Sequence, residues 1–381
     1  MKSQINVNPA VIESVRKSLG IDLHKASELS GISVRRLKQL ETDKKPTLSE
    51  IKALAKAYNS SIASLLLYKP AKDKPLPKDR RTVNSEQVGI FDPQTILAVR
   101  KARALLYSLL ELKEELGLST PEFSYSAALN NDPKELAIKL RKEWNLDRIK
   151  ELQNDNLALE SYIEKIESFG VAIFQLPLTK DNLRGFSITD EKQPIIVIKR
   201  GGEPVTAKIF TLFHELGHIL LNESGICDIK LYNERRRIEK WCNAFAGEIL
   251  VPSNQLLNNK IVKQYKNSTK LIWLKKDLIK IGNEFHVGPL VILRRLLDTR
   301  LTLNEFYKEK HDKWNKPQFG RAKEPEGRNI PKEIIRERGK TYIGLALRAF
   351  DGNKINLKDL SDYLGVKLSY IPRIRQLLYE R

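Results

Sequence analysis

PVTAKIFTLFHELGHILL, residues 204–221, is the stretch whose reading decides the fold. Pro204 at its start and apolar residues at helical spacing mark it as a helix. His214 and His218 stand four apart on that helix, so their imidazoles project from one face, one turn apart, where they can share a metal ion. Glu215 lies beside them, placed to polarise a metal-bound water. Zinc lowers the pKa of such a water toward about 7, and the carboxylate takes its proton as the oxygen attacks a peptide carbonyl. The plain alternative is that these are ordinary polar positions on a core helix. It fits less well, because FTLF and ILL on either side bury the helix and leave little other use for two of the chain's five histidines.

A catalytic zinc site takes three protein ligands plus water, so a third ligand must come from elsewhere. The extended motif with a third histidine is absent, because Ser224 stands at its place. A carboxylate on a following helix is therefore expected. Glu239, in IEKWCNAFAGEILVP (238–252), is the first candidate, and Asn243 one turn further along the same face can orient a histidine. Glu223, Asp228 and Glu234 compete with it from the irregular stretch 223–234.

Upstream, VAIFQLP (171–177), RGFSIT (184–189) and PIIVIKR (194–200) are short β-branched runs bounded by Gly, Pro and Asp, which read as strands of a small sheet. Helices are expected over 93–116, 133–144, 157–169, 204–222 and about 234–250. From 254 onward the chain reads as helical, interrupted by the polar stretch 313–329.

The strands RGFSIT and PIIVIK with the helices FTLFHELGHILL and EKWCNAFAGEILVP together resemble the ImmA/IrrE family of gluzincin-type metallopeptidases. Cys242 replaces an alanine of that family's second helix, and Asn222 stands where many members have a further histidine; neither change removes a ligand. The resemblance implies zinc, with manganese also accepted by two histidines and a glutamate. It also implies that an extended substrate pairs with an edge strand before the metal helix, for which PIIVIKR is the corresponding segment. Cys227 and Cys242 read as small buried filler rather than a redox pair.

Residues 21–58, IDLHKASELSGISVRRLKQLETDKKPTLSEIKALAKAY, have the spacing of a helix-turn-helix. Gly31 permits the tight turn, Ser33 caps the second helix, and Ala26, Ile32 and Leu37 pack the pair. The second helix is expected in the major groove, presenting Ser33, Val34, Arg35, Arg36, Lys38 and Gln39. The segment resembles Cro/CI-type (XRE) repressors, with Thr42 where a glycine usually follows Glu41. A net charge of +20 suits a polyanionic partner, though Lys-rich composition alone is weak support. Two later segments, 278–297 and 357–378, repeat the design of helix, apolar turn and basic helix, and read as scaffold more readily than as DNA readers.

With 41% hydrophobic and 30% charged residues, the chain reads as neither disordered nor membrane-embedded. No apolar run approaches the roughly 20 residues of a membrane helix. Two cysteines and the lack of a visible secretory signal point to the cytoplasm. The expected fold is α+β and predominantly helical. Its parts are a five-helix DNA-binding bundle over 1–69, a linker over 70–92 that includes KPAKDKPLPKDRR, and a helical connector over 93–155. A gluzincin-like peptidase with a small mixed sheet over 156–256 and a helical region over 257–381 complete it.

The expected function is a DNA-bound transcriptional regulator whose zinc endopeptidase cuts a regulatory protein, such as a repressor or antitoxin, in response to a signal. A stress response, a toxin–antitoxin pair or a mobile element would be the setting. Its partners are a double-stranded DNA operator and a protein substrate, with a homodimer expected from the palindromes that Cro/CI-type domains bind. The alternative is a non-proteolytic transcription factor or antitoxin-like binder with a structural or sensory metal site.

Overall fold

A computed structural model describes residues 4–58, 60–70, 78–79, 93–178, 183–189, 191–222, 225–228, 237–266, 271–314 and 329–379. Most of the expected linker, and residues 315–328 of the polar interruption, lie outside these. The chain divides into two units: residues 1–79, 85–105 and 178–180 form the first, and residues 80–84, 106–177 and 181–381 the second.

The first unit holds α1 (Pro9–Lys17), α2 (Leu23–Ser30), α3 (Val34–Leu40), α4 (Leu48–Ala57) and α5 (Ile62–Leu65), the five short helices the turn signals imply. Each has a side-chain N-cap: Asn8, Asp22, Ser33, Thr47 and Ser61 accept from backbone N–H groups of the first turn. Gly31 sits left-handed at φ 70 between α2 and α3, a conformation that costs glycine little. Ala26, Leu37, Leu40, Ile51 and Leu54 are fully buried in its core. Arg16 of α1 grips Glu41, just after α3, by two hydrogen bonds of 2.7 and 2.8 Å, which fixes the third helix on the first. Where a glycine usually follows Glu41, the Thr42 hydroxyl donates to the Lys38 or Gln39 carbonyl, both 3.1 Å away, and closes the helix end instead.

Helix α6 (Pro93–Glu115) begins in the first unit and ends in the second. In the second unit follow α7 (Pro133–Glu143), α8 (Asp155–Ser168), β1 (Ala172–Leu176), β2 (Leu183–Ile188), β3 (Ile195–Lys199), α9 (Val205–Leu220), β4 (Gly225–Asp228) and α10 (Arg237–Leu250). Four strands run side by side in the order β4-β2-β3-β1, with β1 parallel to β3 and the other pairs antiparallel, a mixed sheet as expected. After α10 come α11 (Ser253–Asn258), α12 (Lys260–Lys266), α13 (Lys275–Glu284), α14 (Pro289–Asp298), α15 (Asn304–Trp314), α16 (Ile330–Arg338), α17 (Lys340–Asp351), α18 (Leu357–Leu364) and α19 (Ile371–Tyr379).

Two features differ from expectation. PIIVIKR is not an edge strand: β3 is bonded to β1 on one side and β2 on the other, so its backbone groups are spent and a substrate strand cannot add to it. The stretch 223–234 is not wholly irregular, since Gly225–Asp228 pairs antiparallel with β2.

The sheet lies tight against α9. At Gly185 in β2 an added Cβ would stand 2.7 Å from both the Thr211 Cγ2 and the Val197 carbonyl, so only glycine fits. Helices α9 and α10 also approach closely, since a Cβ at Gly217 would meet Cys242 at 3.1 Å. Cys242 is fully buried at that crossing, consistent with the small filler expected of it. The Cys227 side chain lies outside the described residues. At the far end of α10 the Glu248 carboxylate is ion-paired with Arg295 of α14, both almost completely buried. Arg295 also donates to the Val251 carbonyl at 3.1 Å and to Ser253 Oγ at 2.8 Å. Arg141 of α7 donates to the Ile249 carbonyl at 2.5 Å.

Candidate metal centre and helix-turn-helix

From Ile209 to Leu220 every residue of α9 is buried, which puts His214, Glu215 and His218 at zero exposure. Helix α10 crosses α9 so that Glu239, in its first turn, reaches both histidines. Its Oε2 stands 3.3 Å from His214 Nε2 and its Oε1 3.7 Å from His218 Nε2. The two Nε2 atoms are 3.2 Å apart. Two nitrogens held by one tetrahedral zinc at about 2.0–2.1 Å lie about 3.3–3.4 Å from one another. The donor set therefore has a spacing that suits one ion, and without one the same atoms are close enough to hydrogen-bond each other. Among the described residues this is the group whose ligand atoms converge, all within 4.8 Å.

Asn243, one turn beyond Glu239, places its side-chain oxygen 3.0 Å from His214 Nδ1. With the oxygen so assigned, Nδ1–H donates, which leaves Nε2 facing Glu239: as an N–H donor to its carboxylate when the ring is protonated, as a lone pair when it is neutral. Burial disfavours the Glu239 charge, but hydrogen bonds to His214 and His218 outweigh it and hold the carboxyl well below the usual carboxylate range. Burial likewise pulls His214 down, and the Glu239 carboxylate more than reverses it, raising the imidazole. Of the competing carboxylates, Glu223 and Glu234 and the Asp228 side chain lie outside the described residues.

In α3, Ser33 caps the helix, and Ser33, Arg35 and Lys38 are exposed while Val34 and Gln39 are half-buried. Arg36 is engaged within the unit. Its Nε and Nη2 donate to Glu50 at 2.7 and 3.1 Å, and Nη2 also to the Lys45 carbonyl at 3.0 Å. Hydrogen bonding to Arg36, helped by the Thr47 backbone N–H and hydroxyl against some desolvation, holds Glu50 down to about 2. The capping box Thr47-x-x-Glu50 is readable in sequence, whereas its coupling to Arg36 depends on the angle between α3 and α4 and is not. The Arg295–Glu248 pair went unread for a similar reason, because 47 residues separate its partners.

No helix among the described residues is long and apolar enough to cross a membrane. Residues 12–65 match a family model described as helix-turn-helix, and residues 166–297 match the IrrE N-terminal-like domain of Peptidase_M78. No curated protein and no solved structure matches the chain. The turn at Gly31 falls inside the first match and the His-His-Glu cluster inside the second, so the chain carries a helix-turn-helix domain of the XRE type over 12–65 and, after it, an IrrE N-terminal-like domain of the Peptidase_M78 type over 166–297.

Proposed function

We propose that the protein is a DNA-bound regulator carrying a zinc-dependent endopeptidase that cuts a regulatory protein, of repressor or antitoxin kind, when a signal calls for it. The observation that carries this reading is the convergence of His214, His218 and Glu239, with Glu215 one residue along the same buried helix. When bound, the ion supplies Lewis-acid polarisation and makes water acidic enough to be deprotonated near neutral pH. Asn243 fixes the ring of His214 through its Nδ1–H. Glu215 accepts the proton of the attacking water and returns it to the leaving amine. A site with a structural or sensory purpose has no need of that base. Manganese suits the same donors.

The test is proteomic. New protein N-termini are compared between cells producing the wild type and cells producing Glu215→Gln, with DNA occupancy followed in parallel. Cleaved regulators confined to the wild type support the proposal. Regulation that survives Glu215→Gln unaltered leaves the non-proteolytic reading.

The exposed positions Ser33, Arg35 and Lys38, with Val34 and Gln39 beside them, form the DNA-facing surface in this reading, and Arg36 acts by holding α3 to α4. Arg35→Ala should reduce operator affinity and lower the slope of log affinity against log salt by about one, without changing the melting temperature. Arg36→Ala should instead destabilise the first unit by about 1–2 kcal/mol, since Glu50 is left with fewer donors in a half-buried place. Calorimetry and fluorescence anisotropy separate the two. Equal loss of affinity with unchanged melting in both variants would refute the division of labour.

A further inference from the structure

Residues 340–379 repeat the first unit's helix-turn-helix at an offset of 334 positions, in the last described stretch of the chain. Helices α2 and α18 are both eight residues long, with an N-cap at Asp22 in one and Asn356 in the other. Each ends on a left-handed glycine, Gly31 at φ 70 and Gly365 at φ 60. The buried positions coincide: Ala26 with Leu360, Leu37 with Ile371 and Leu40 with Ile374. Between them the exposed positions coincide as well, Ser33 with Lys367, Arg35 with Ser369 and Lys38 with Pro372.

A second, independent likeness fixes the third helix on the first. In the N-terminal unit Glu41 is gripped by Arg16, near the end of α1. At the position 334 residues on, Arg375 grips Asp351, the last residue of α17, by bonds of 2.9 and 2.6 Å. The tie joins the corresponding helices with its charges exchanged, one residue out of register and on the surface where Arg16–Glu41 is nearly buried. Three helices packed in this way present the start of the third, and here Lys367 and Ser369 lie on the short 3-10 turn (Leu368–Tyr370) just before α19, with Leu368 49% exposed, and Arg373 in the first turn of α19. The segment 340–379 holds seven basic residues against three acidic ones. Asp351 and Arg375 offset one another, which leaves six basic residues against two acidic ones, of which Asp359 is engaged by the α18 cap.

The pair α13–α14 shows what a scaffold version looks like. Five of the ten residues of α14 are buried, Arg295 among them, against only Ile371 and Ile374 of α19. Helix α14 has no face to offer a ligand, and α19 has one.

We propose that α17–α19 is a second DNA-binding element, which holds duplex DNA through Lys367, Ser369 and Arg373 at the turn and leading end of α19. The spacing of turn and helix is that with which such motifs place a helix in the major groove. Lysine and arginine there gain affinity by releasing counterions from phosphates, and an exposed leucine can meet a thymine methyl. Only the comparison rests on the N-terminal element being a DNA binder, and the experiment separates the two.

The full chain is titrated against a fluorescent duplex of roughly 25 base pairs over a range of salt, in four forms. These are the wild type, Arg35→Glu with Lys38→Glu, Lys367→Glu with Arg373→Glu, and all four substitutions together. The N-terminal variant should retain salt-dependent binding. Adding the C-terminal pair should weaken that remainder about tenfold or more and flatten its salt slope by about two. Ser369→Glu, a single exposed change, should weaken it in the same direction and guards against misfolding of the double variant. An N-terminal variant that no longer binds DNA, or a remainder indifferent to the C-terminal changes, overturns the proposal. If instead the N-terminal changes have no effect, it is the assignment of α3 that fails.

Discussion

Glu215→Gln is expected to abolish proteolysis while leaving the metal in place. The substitution keeps the size of a side chain that has no solvent exposure and removes its ability to take a proton. General-base catalysis of this kind contributes about 10²–10⁴-fold, so cleavage of an unfolded protein such as casein should fall by about three orders of magnitude. That corresponds to about 4 kcal/mol of barrier. Metal content by elemental analysis should stay at one ion per chain, because His214, His218 and Glu239 are untouched. Melting should be unchanged or slightly later, since a neutral amide is easier to bury than a carboxylate. Cleavage that persists within about threefold would remove Glu215 from the role of base.

Chelation should cost the second unit about as much stability as the base contributes to the rate. Three buried donors from two helices bind an ion only in the folded chain, so at about a thousandfold excess over the dissociation constant the ion adds about 4 kcal/mol to folding. For a unit of this size each kcal/mol moves the midpoint by about 2–4 °C, and a strong chelator should therefore lower it by about 10 °C. Glu239→Ala should melt early whether or not chelator is present, and added zinc should restore the wild type alone. A wild-type melting curve that ignores chelator would show that the cluster holds no ion. In that case the hydrogen bonds linking Glu239 to His214 and His218 would be its whole purpose.

Local chemistry made much of this legible. The cap Ser33, the turn at Gly31 and the buried face of α9 follow from rules that act within one turn of chain, and they stand where those rules put them. Glu239 could be ranked first because a helix carrying the sequence 238–252 offers that face to a partner, and it is the carboxylate found against both histidines. Strand order was another matter. Alternation and β-branching mark Ile195–Lys199 as a strand but do not say how many neighbours it has, and the assignment of PIIVIKR to the edge failed on that count. The pairing of Gly225–Asp228 with β2 sits in a stretch whose composition is that of a loop, so only the sheet itself reveals it. Arg36 suits a DNA contact by its type and its place on α3, and it is also bonded to Glu50, 14 residues away, a pairing that only the angle between two helices reveals.

The ion pair of Glu248 with Arg295 bears on what can be inherited as a working piece. Cutting the chain between its members would strand a charge in a dry interior, at a cost of about 3–5 kcal/mol. The α10 helix that carries Glu239 also carries Glu248, so the segment with the His-His-Glu cluster depends on α14 for its stability. A gene segment ending at residue 256 would encode the histidines, the glutamate and the whole sheet, and still deliver a crippled module. The stretch that matches the family model runs from 166 to 297 and takes in both members of the pair, so the match ends only after the arginine that Glu248 needs.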